Sequence, residues 1–369
     1  MPSQLRVALV HDFLNQYGGA ERVLEAIHEL YPHAPVYTSL YDPLRLPLRM
    51  RNWDVRPFRL PKISLSKAYT FLYPVLFERI DLSDYDLVIS SSANFAKGVI
   101  TWPGTLHISY IHTPPRFLYH YPTETDRRKI RFLEPFLAPL DNLLRIWDYS
   151  AAQRPDFLVT NSKETARRIK KFYGRAAAVI YPPISLEASS RQSAAHDSQS
   201  TTHDYFLIVS RLASYKRVDL AIEACSRLGL PLKIVGTGRE EKKLRRLAGP
   251  MIEFLGFVGD REVAELYRHC RAFILPGAED FGITPVEAMS FGKPVIAFGE
   301  GGALETVIKG KTGTFFDQET PESLVSALVS FNPSGYEAKD CIAQAKKFSK
   351  KHFQQEFGEF VRAKMGEMR

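Results

Sequence analysis

The sequence predicts an α/β protein built from two Rossmann-like domains, each a parallel sheet covered by helices, facing a central cleft. Three observations carry this. Short continuous apolar runs alternate with amphipathic helical stretches through both halves, the pattern of parallel strands buried on two faces. Residues 187–202, rich in serine and poor in apolar side chains, separate the halves as a boundary loop would. The chain has 369 residues, 45% hydrophobic and 24% charged, a length that favours two cores over one. The expected division is a first domain over 1–184, a boundary loop over 185–203, a second domain over 204–345 and a terminal helix over 346–369.

In the first half the strands are expected at 5–10, 36–38, 86–91, 107–111 and 157–160. In the second they fall at 206–210, 232–235, 252–255, 273–275, 295–298 and 314–316. Between them 218–228, 240–247 and 263–270 place apolar residues three or four apart, which gives each a helix with one buried stripe. Helical composition returns after Phe331.

Composition narrows the function. No apolar run approaches the roughly eighteen residues of a membrane span, and residues 1–6 lack the long apolar core of a secretory signal, so the expected location is the cytoplasm. Cys225, Cys270 and Cys341 form no C-x-x-C pair and lie in apolar or amphipathic stretches, which predicts buried thiols. A net charge of +8 invites an acidic partner. Nucleic acid is set aside, because the basic residues are scattered and no helix-turn-helix, zinc or RNP pattern accompanies them. The tightest basic cluster, Arg167-Arg168-Ile169-Lys170-Lys171-Phe172-Tyr173, reads either as a solvated helix face or as an attachment to anionic lipid at the inner face of a membrane.

The most informative stretch is Glu279-Asp280-Phe281-Gly282-Ile283-Thr284-Pro285-Val286-Glu287-Ala288-Met289. It follows the apolar strand 272–275 and precedes Gly292-Lys293-Pro294, a helix stop. One carboxylate thus stands at a strand's carboxyl end and the other in the first turn of the next helix. That is the edge of a parallel sheet where ligands bind, and the free amides of Phe281 to Thr284 would face the same space. Each acid also has a ligand-free reading. Thr284-Pro285-Val286-Glu287 spells a capping box with proline at the first helical position, and Glu279 reads as a solvated loop acid.

This stretch resembles the E-x7-E motif of the GT4-type retaining glycosyltransferases of the GT-B fold. The likeness continues through Gly292-Lys293-Pro294-Val295-Ile296-Ala297, Gly301-Gly302-Ala303-Leu304-Glu305 and Gly310-Lys311-Thr312-Gly313. Further pieces are Gly18-Gly19-Ala20-Glu21-Arg22 after the first strand, Arg211 with Lys216 after the first strand of the second half, and the Gly236-Thr237-Gly238 turn. The resemblance implies transfer of a hexose from a nucleotide diphosphate sugar, UDP-glucose or GDP-mannose, to a carbohydrate acceptor. It favours a lipid-linked acceptor in surface or extracellular polysaccharide assembly, and it requires no metal or other cofactor.

By that resemblance Glu279 contacts the donor hexose, Glu287 the ribose hydroxyls, and Arg211 with Lys216 the diphosphate. The chemistry fits, since a guanidinium fork and an ammonium can neutralise one leaving diphosphate. Gly18 and Gly19 let the main chain approach the phosphate or sugar, though alone they would mark only a tight turn. Gly236, Val258 within Gly256-Phe257-Val258, Asp280, Phe281, Gly282, Ile283 and Thr284 complete the expected donor contacts. His112, closing the strand 107–111, matches the family histidine near the transferred sugar. The aromatic run Phe117 to Tyr121 reads equally as an acceptor surface or as a packed loop core. The family's terminal helix crosses back onto the first domain, which places 346–368 there.

Two lookalikes are set aside. Asp84-Tyr85-Asp86 spells the D-x-D of metal-dependent transferases but runs straight into the apolar Leu87-Val88-Ile89. Gly236-Thr237-Gly238 imitates a dinucleotide fingerprint without its third glycine or its place on the first strand. Competing functions on this architecture are a nucleotide-sugar 2-epimerase and a non-catalytic nucleotide-sugar binder.

Overall fold

The computed structural model describes residues 5–58, 71–123, 134–184 and 205–367, with side chains omitted for 134–137. The boundary loop expected at 185–203 lies outside the described residues. The chain forms two compact units: Met1–Tyr121 with Thr125–Pro183 and Phe353–Arg369, and Pro122–Glu124 with Ile184–His352.

The first unit holds a seven-stranded sheet of β1 (Val7–His11), β2 (Val36–Thr38), β3 (Val55–Pro57), β4 (Leu87–Ser92), β5 (Leu106–Ile111), β6 (Phe157–Thr160) and β7 (Ala178–Val179). Its order is β3-β2-β1-β4-β5-β6-β7 and every pairing is parallel. The chain therefore winds outward from β1, returns beside it at β4 and winds the other way. The β1/β4 boundary is a topological switch point. Side chains alternate across the sheet as the strand period requires: Leu9, Leu87 and Ile89 join one apolar layer, while Ala8, Val10 and Val88 join the other. Phe353, Phe357 and Val361 of the helix Lys350–Glu367 pack into the Leu9 layer, so the end of the chain completes this unit's core.

The second unit holds β8 (Phe206–Val209), β9 (Leu232–Val235), β10 (Ile252–Gly256), β11 (Ala272–Leu275), β12 (Val295–Phe298) and β13 (Gly313–Phe316). The order β10-β9-β8-β11-β12-β13 is again all parallel, with the switch point between β8 and β11. The helix Val218–Leu228 buries Val218, Ala221, Ile222 and Cys225 and stops at Gly229, whose φ of +63° is the left-handed conformation that ends helices. All three cysteines are buried and unpaired; burial pushes the Cys225 and Cys270 thiols up to about 12 and Cys341 up to about 11.

Two strands have no counterpart among those expected from sequence. β3 is an edge strand of three residues, mostly exposed and ending in proline, and β7 has only two residues. Neither buries enough surface to leave an apolar run. Among the described residues no helix is long and apolar enough to cross a membrane.

Candidate active site

The second unit's switch point assembles from two strand ends. After β8 the chain makes a short 3-10 turn, Ser214–Lys216, then passes Arg217 in the left-handed region at φ +51° before the helix Val218–Leu228 begins. A non-glycine residue held there is strained. Bonds from the Arg217 guanidinium to Asp219 and to Glu319 at 2.6 Å anchor it. This bend aims Lys216 across to β11, where its ammonium pairs with the Glu279 carboxylate. The two side chains are 13% and 17% exposed, so the pair is largely but not fully withdrawn from water.

Glycines hold the Glu279 loop against its neighbours. A Cβ on Gly277 would stand 2.8 Å from the Tyr215 carbonyl oxygen, so the backbone after β11 passes close to the turn that carries Lys216. On the other side the Gly302 N–H donates to the Glu279 carbonyl at 2.8 Å. A Cβ on Gly302 would lie 2.3 Å from the Phe281 backbone, and one on Gly301, at φ +64°, 2.3 Å from the Glu279 carbonyl oxygen. Any side chain at Gly302 would displace the loop.

Beside the pair, Arg211 donates to the Tyr215 hydroxyl at 3.1 Å. With Leu212, Ala213, Ser214 and Thr237 to Glu240 it lines a pocket of about 80 Å³, more than twice the volume share of one water, about 30 Å³. The Gly236 turn closes on β8: at φ +127°, its Cβ would meet the Ser210 carbonyl oxygen at 1.9 Å. The Gly236 N–H also donates to the Gly256 carbonyl at 2.7 Å, which ties this turn to the end of β10. There Phe257 is 87% exposed and Val258 half-buried, leaving an apolar ring at the surface where a base was expected. Arg211, Lys216, Gly236, Val258 and Glu279 thus stand along the carboxyl ends of β8, β9, β10 and β11.

The capping box read from Thr284 to Glu287 is not formed. The helix Ile283–Ser290 starts two residues earlier, with Gly282 at φ +83° as its N-cap and no side-chain cap. Pro285 therefore occupies the third helical position, still inside the first turn where its missing N–H costs nothing. Glu287 is 2% exposed, and the Tyr267 hydroxyl donates to it at 3.3 Å. Phe281 is buried, its ring edge-on to Phe348 at 5.5 Å, while Asp280, Gly282, Ile283 and Thr284 are half-buried along the loop and first turn.

In the first unit, Gly18 is the N-cap of the helix Gly19–Leu30, and its N–H donates to Glu21 at 2.7 Å. His112 follows β5, its ring 2.8 Å from the Ser91 hydroxyl and its carbonyl accepting from Asn161 at 2.9 Å. In the run 117–121, Leu118 is buried, and Tyr119 stacks on Phe172 at 4.2 Å and donates to Asp148. Packing accounts for those two side chains. Asp86 accepts from the Arg6 backbone and guanidinium, which binds it to the start of β1. In the basic helix Lys163–Tyr173, Arg167 and Arg168 both pair with Glu164.

Sequence reasoning missed Asp12. Only 4% exposed, it sits one residue past β1 and accepts four backbone N–H bonds, from Ala93, Asn94, Phe95 and Ala96, at 2.6 to 2.8 Å. Its signal was an acid at the carboxyl end of a buried strand. Gly277 was also missed, because a lone glycine after Pro276 reads as an ordinary turn.

Comparison with known proteins matches two families along the chain. Residues 17–188 match Glycosyltransferase Family 4 and residues 190–348 match Glycosyl transferases group 1. The chain belongs to the GT4-type glycosyltransferases of the GT-B fold. An O-antigen chain mannosyltransferase C of Escherichia coli is 26% identical over 229 residues, covering 57% of this chain and 57% of its own length. The chain thus spans little more than half of that relative. An alpha-1,3/1,6-mannosyltransferase of Rhizomucor pusillus is 24% identical over 422 aligned positions, covering 96% of this chain and 88% of its own. Among solved structures, HepE of Anabaena in complex with UDP and glucose superposes with a TM-score of 0.70 at 19% identity, covering 97% of this chain and all of that one. At that identity the likeness speaks for the fold.

Proposed function

We propose that this glycosyltransferase moves a hexose from a nucleotide diphosphate sugar to a carbohydrate acceptor with retention of configuration. The observation that carries the reading is the Lys216–Glu279 pair at the β8/β11 switch point, with Arg211 and its pocket alongside. A cation and a carboxylate there meet the two ends of one ligand's reacting bond. Lys216 and Arg211 would neutralise the leaving diphosphate, and Glu279 would orient the hexose. Glu287 would serve the ribose, and the main chain of Gly18, Gly19 and Phe281 to Thr284 would approach phosphate or sugar. His112 would serve the sugar. As the bond from the anomeric carbon to the phosphate oxygen breaks, the acceptor hydroxyl bonds to that carbon from the same face. Its proton passes to the departing phosphate. No step needs a metal.

The mannosyltransferase relatives support GDP-mannose as the donor, with UDP-glucose second. The O-antigen relative supports a saccharide chain as the acceptor; that the acceptor is lipid-linked and met at the inner face of a membrane is part of the proposal. A thermal-shift panel of nucleotides and nucleotide sugars tests the donor, since a ligand that binds only the folded state must raise the melting temperature. Incubation with donor alone distinguishes the enzyme class: free epimerised sugar formed without acceptor would replace transfer by 2-epimerisation.

Arg211→Ala is expected to weaken nucleotide binding by the worth of a charge-assisted bond, about 1.5 to 3 kcal/mol, or roughly 10- to 150-fold. Direct titration with GDP and UDP measures it. An affinity equal to that of the native protein would remove Arg211 from the site. Activity is further expected to survive a chelator; loss that manganese restores would return Asp84 and Asp86 to consideration.

A further inference from the structure

His112 is the end of a line of side chains running back to the glycine turn. Its Nε2 lies 2.8 Å from the Ser91 hydroxyl oxygen, and that oxygen lies 3.0 Å from Nδ1 of His11. On its far side, His11 Nε2 is 3.6 Å from one oxygen of Glu21, whose other oxygen accepts the Gly18 N–H at 2.7 Å. His11, Ser91 and Glu21 are all buried and His112 nearly so, at 9% exposure. The set lies wholly within the first unit, with His11, Ser91 and His112 at the carboxyl ends of β1, β4 and β5 and Glu21 in the first turn of the helix Gly19–Leu30.

A serine hydroxyl has one proton. Placed between two imidazole nitrogens, it can donate to only one of them, so if one nitrogen is bare the other must carry its own proton. Glu21 breaks the tie. A carboxylate oxygen beside His11 Nε2 favours a proton on that nitrogen, and in the ring that carries only that proton Nδ1 is left as an acceptor. His11 Nδ1 then accepts from Ser91, and Ser91 accepts from His112 Nε2–H.

We infer that Glu21, His11 and Ser91 are positioning residues that hold His112 as the Nε2–H tautomer and fix its ring for the role at the sugar. The tautomer stands on the geometry of this line alone; its use rests on the sugar-site role given to His112. Because one carboxylate grips both the Gly18 turn and His11, the glycine turn and the sugar histidine share a single anchor.

Nitrogen-15 correlation spectra of histidine-labelled protein read each ring's tautomer directly, with His11 and His112 assigned from the signals lost in His11→Asn and His112→Gln. Both rings are expected neutral with the proton on Nε2. Glu21→Gln should reverse the line: its amide oxygen stays on the Gly18 N–H, its NH2 turns to His11 Nε2, and His112 becomes the Nδ1–H form. With donor saturating, Glu21→Gln should then lower kcat at least tenfold. In a Ser91→Ala background the same substitution should change kcat little, because the link is cut. His112 as the Nδ1–H tautomer in the native protein, or a doubly protonated His11, would overturn the inference without needing any variant. A His112 tautomer unmoved by Glu21→Gln in a folded protein would also overturn it. If the tautomers follow this order while kcat is indifferent, the relay stands and the sugar-site role of His112 falls.

Discussion

Asp12→Ala should lower the melting temperature by about 6 to 12 °C. The carboxylate is buried and receives four backbone N–H groups from consecutive residues after β4. Removing it strands donors in a place with little water to replace the acceptor. Losing a buried charged hydrogen-bonding partner costs about 3 kcal/mol or more, and each kcal/mol moves the midpoint by about 2 to 4 °C in a unit of this size. The turn it organises continues into Ala96–Gly98 and sets the backbone of Lys97, a buried lysine whose ammonium meets Asp148 at 2.5 Å. Asp12→Asn should recover little, because its NH2 would face two of the N–H groups. Circular dichroism melts of both variants measure the effect. A fall under 2 °C in either would show that these amides find other partners and that Asp12 does not hold the switch point of the first sheet together.

Glu279→Gln should reduce kcat by about 100-fold or more, the scale on which placed polar groups act at a reacting centre. Its melting temperature should stay within about 2 °C of native, since the amide oxygen of glutamine still accepts from the Lys216 ammonium, which itself keeps some contact with solvent. Free GDP or UDP should bind as before, because a group that holds only the sugar is not reached by the nucleotide alone. Lys216→Ala should do the reverse and weaken nucleotide binding. Steady-state kinetics with titration of the same variants separates the two. If Glu279→Gln keeps its kcat and loses only stability, the carboxylate serves the loop and the reacting centre must be sought elsewhere.

Much of the fold could be read from the chain because parallel strands buried on both faces leave continuous apolar runs. The five interior strands of the first sheet, β1, β2, β4, β5 and β6, and all six of the second, β8 to β13, announce themselves in this way. β3 and β7 do not, being short edges that bury little. The site was legible one residue at a time. Lys216 and Glu279 each stand at a strand end with a motif around them, yet nothing local says that they meet across a separation of 63 residues. That meeting depends on Gly277 passing close to Tyr215 and on Gly302 seating the loop, contacts that one-dimensional spacing does not carry. The capping box failed for a related reason. Thr284 and Glu287 have the right spacing, but Gly282 can take a left-handed conformation that threonine avoids, so the helix begins at Ile283. The polar line from Glu21 to His112 was invisible in the sequence because its members come from three strand ends and one helix.

Titration calorimetry of the intact chain with GDP-mannose and UDP-glucose, repeated on Lys216→Ala, tests the donor site most directly. One of the two sugars should bind at a single site, and Lys216→Ala should weaken it at least tenfold while the variant remains folded. Equal affinity in the native protein and in Lys216→Ala, or no binding of either sugar to the native chain, would contradict a diphosphate site at the β8/β11 switch point.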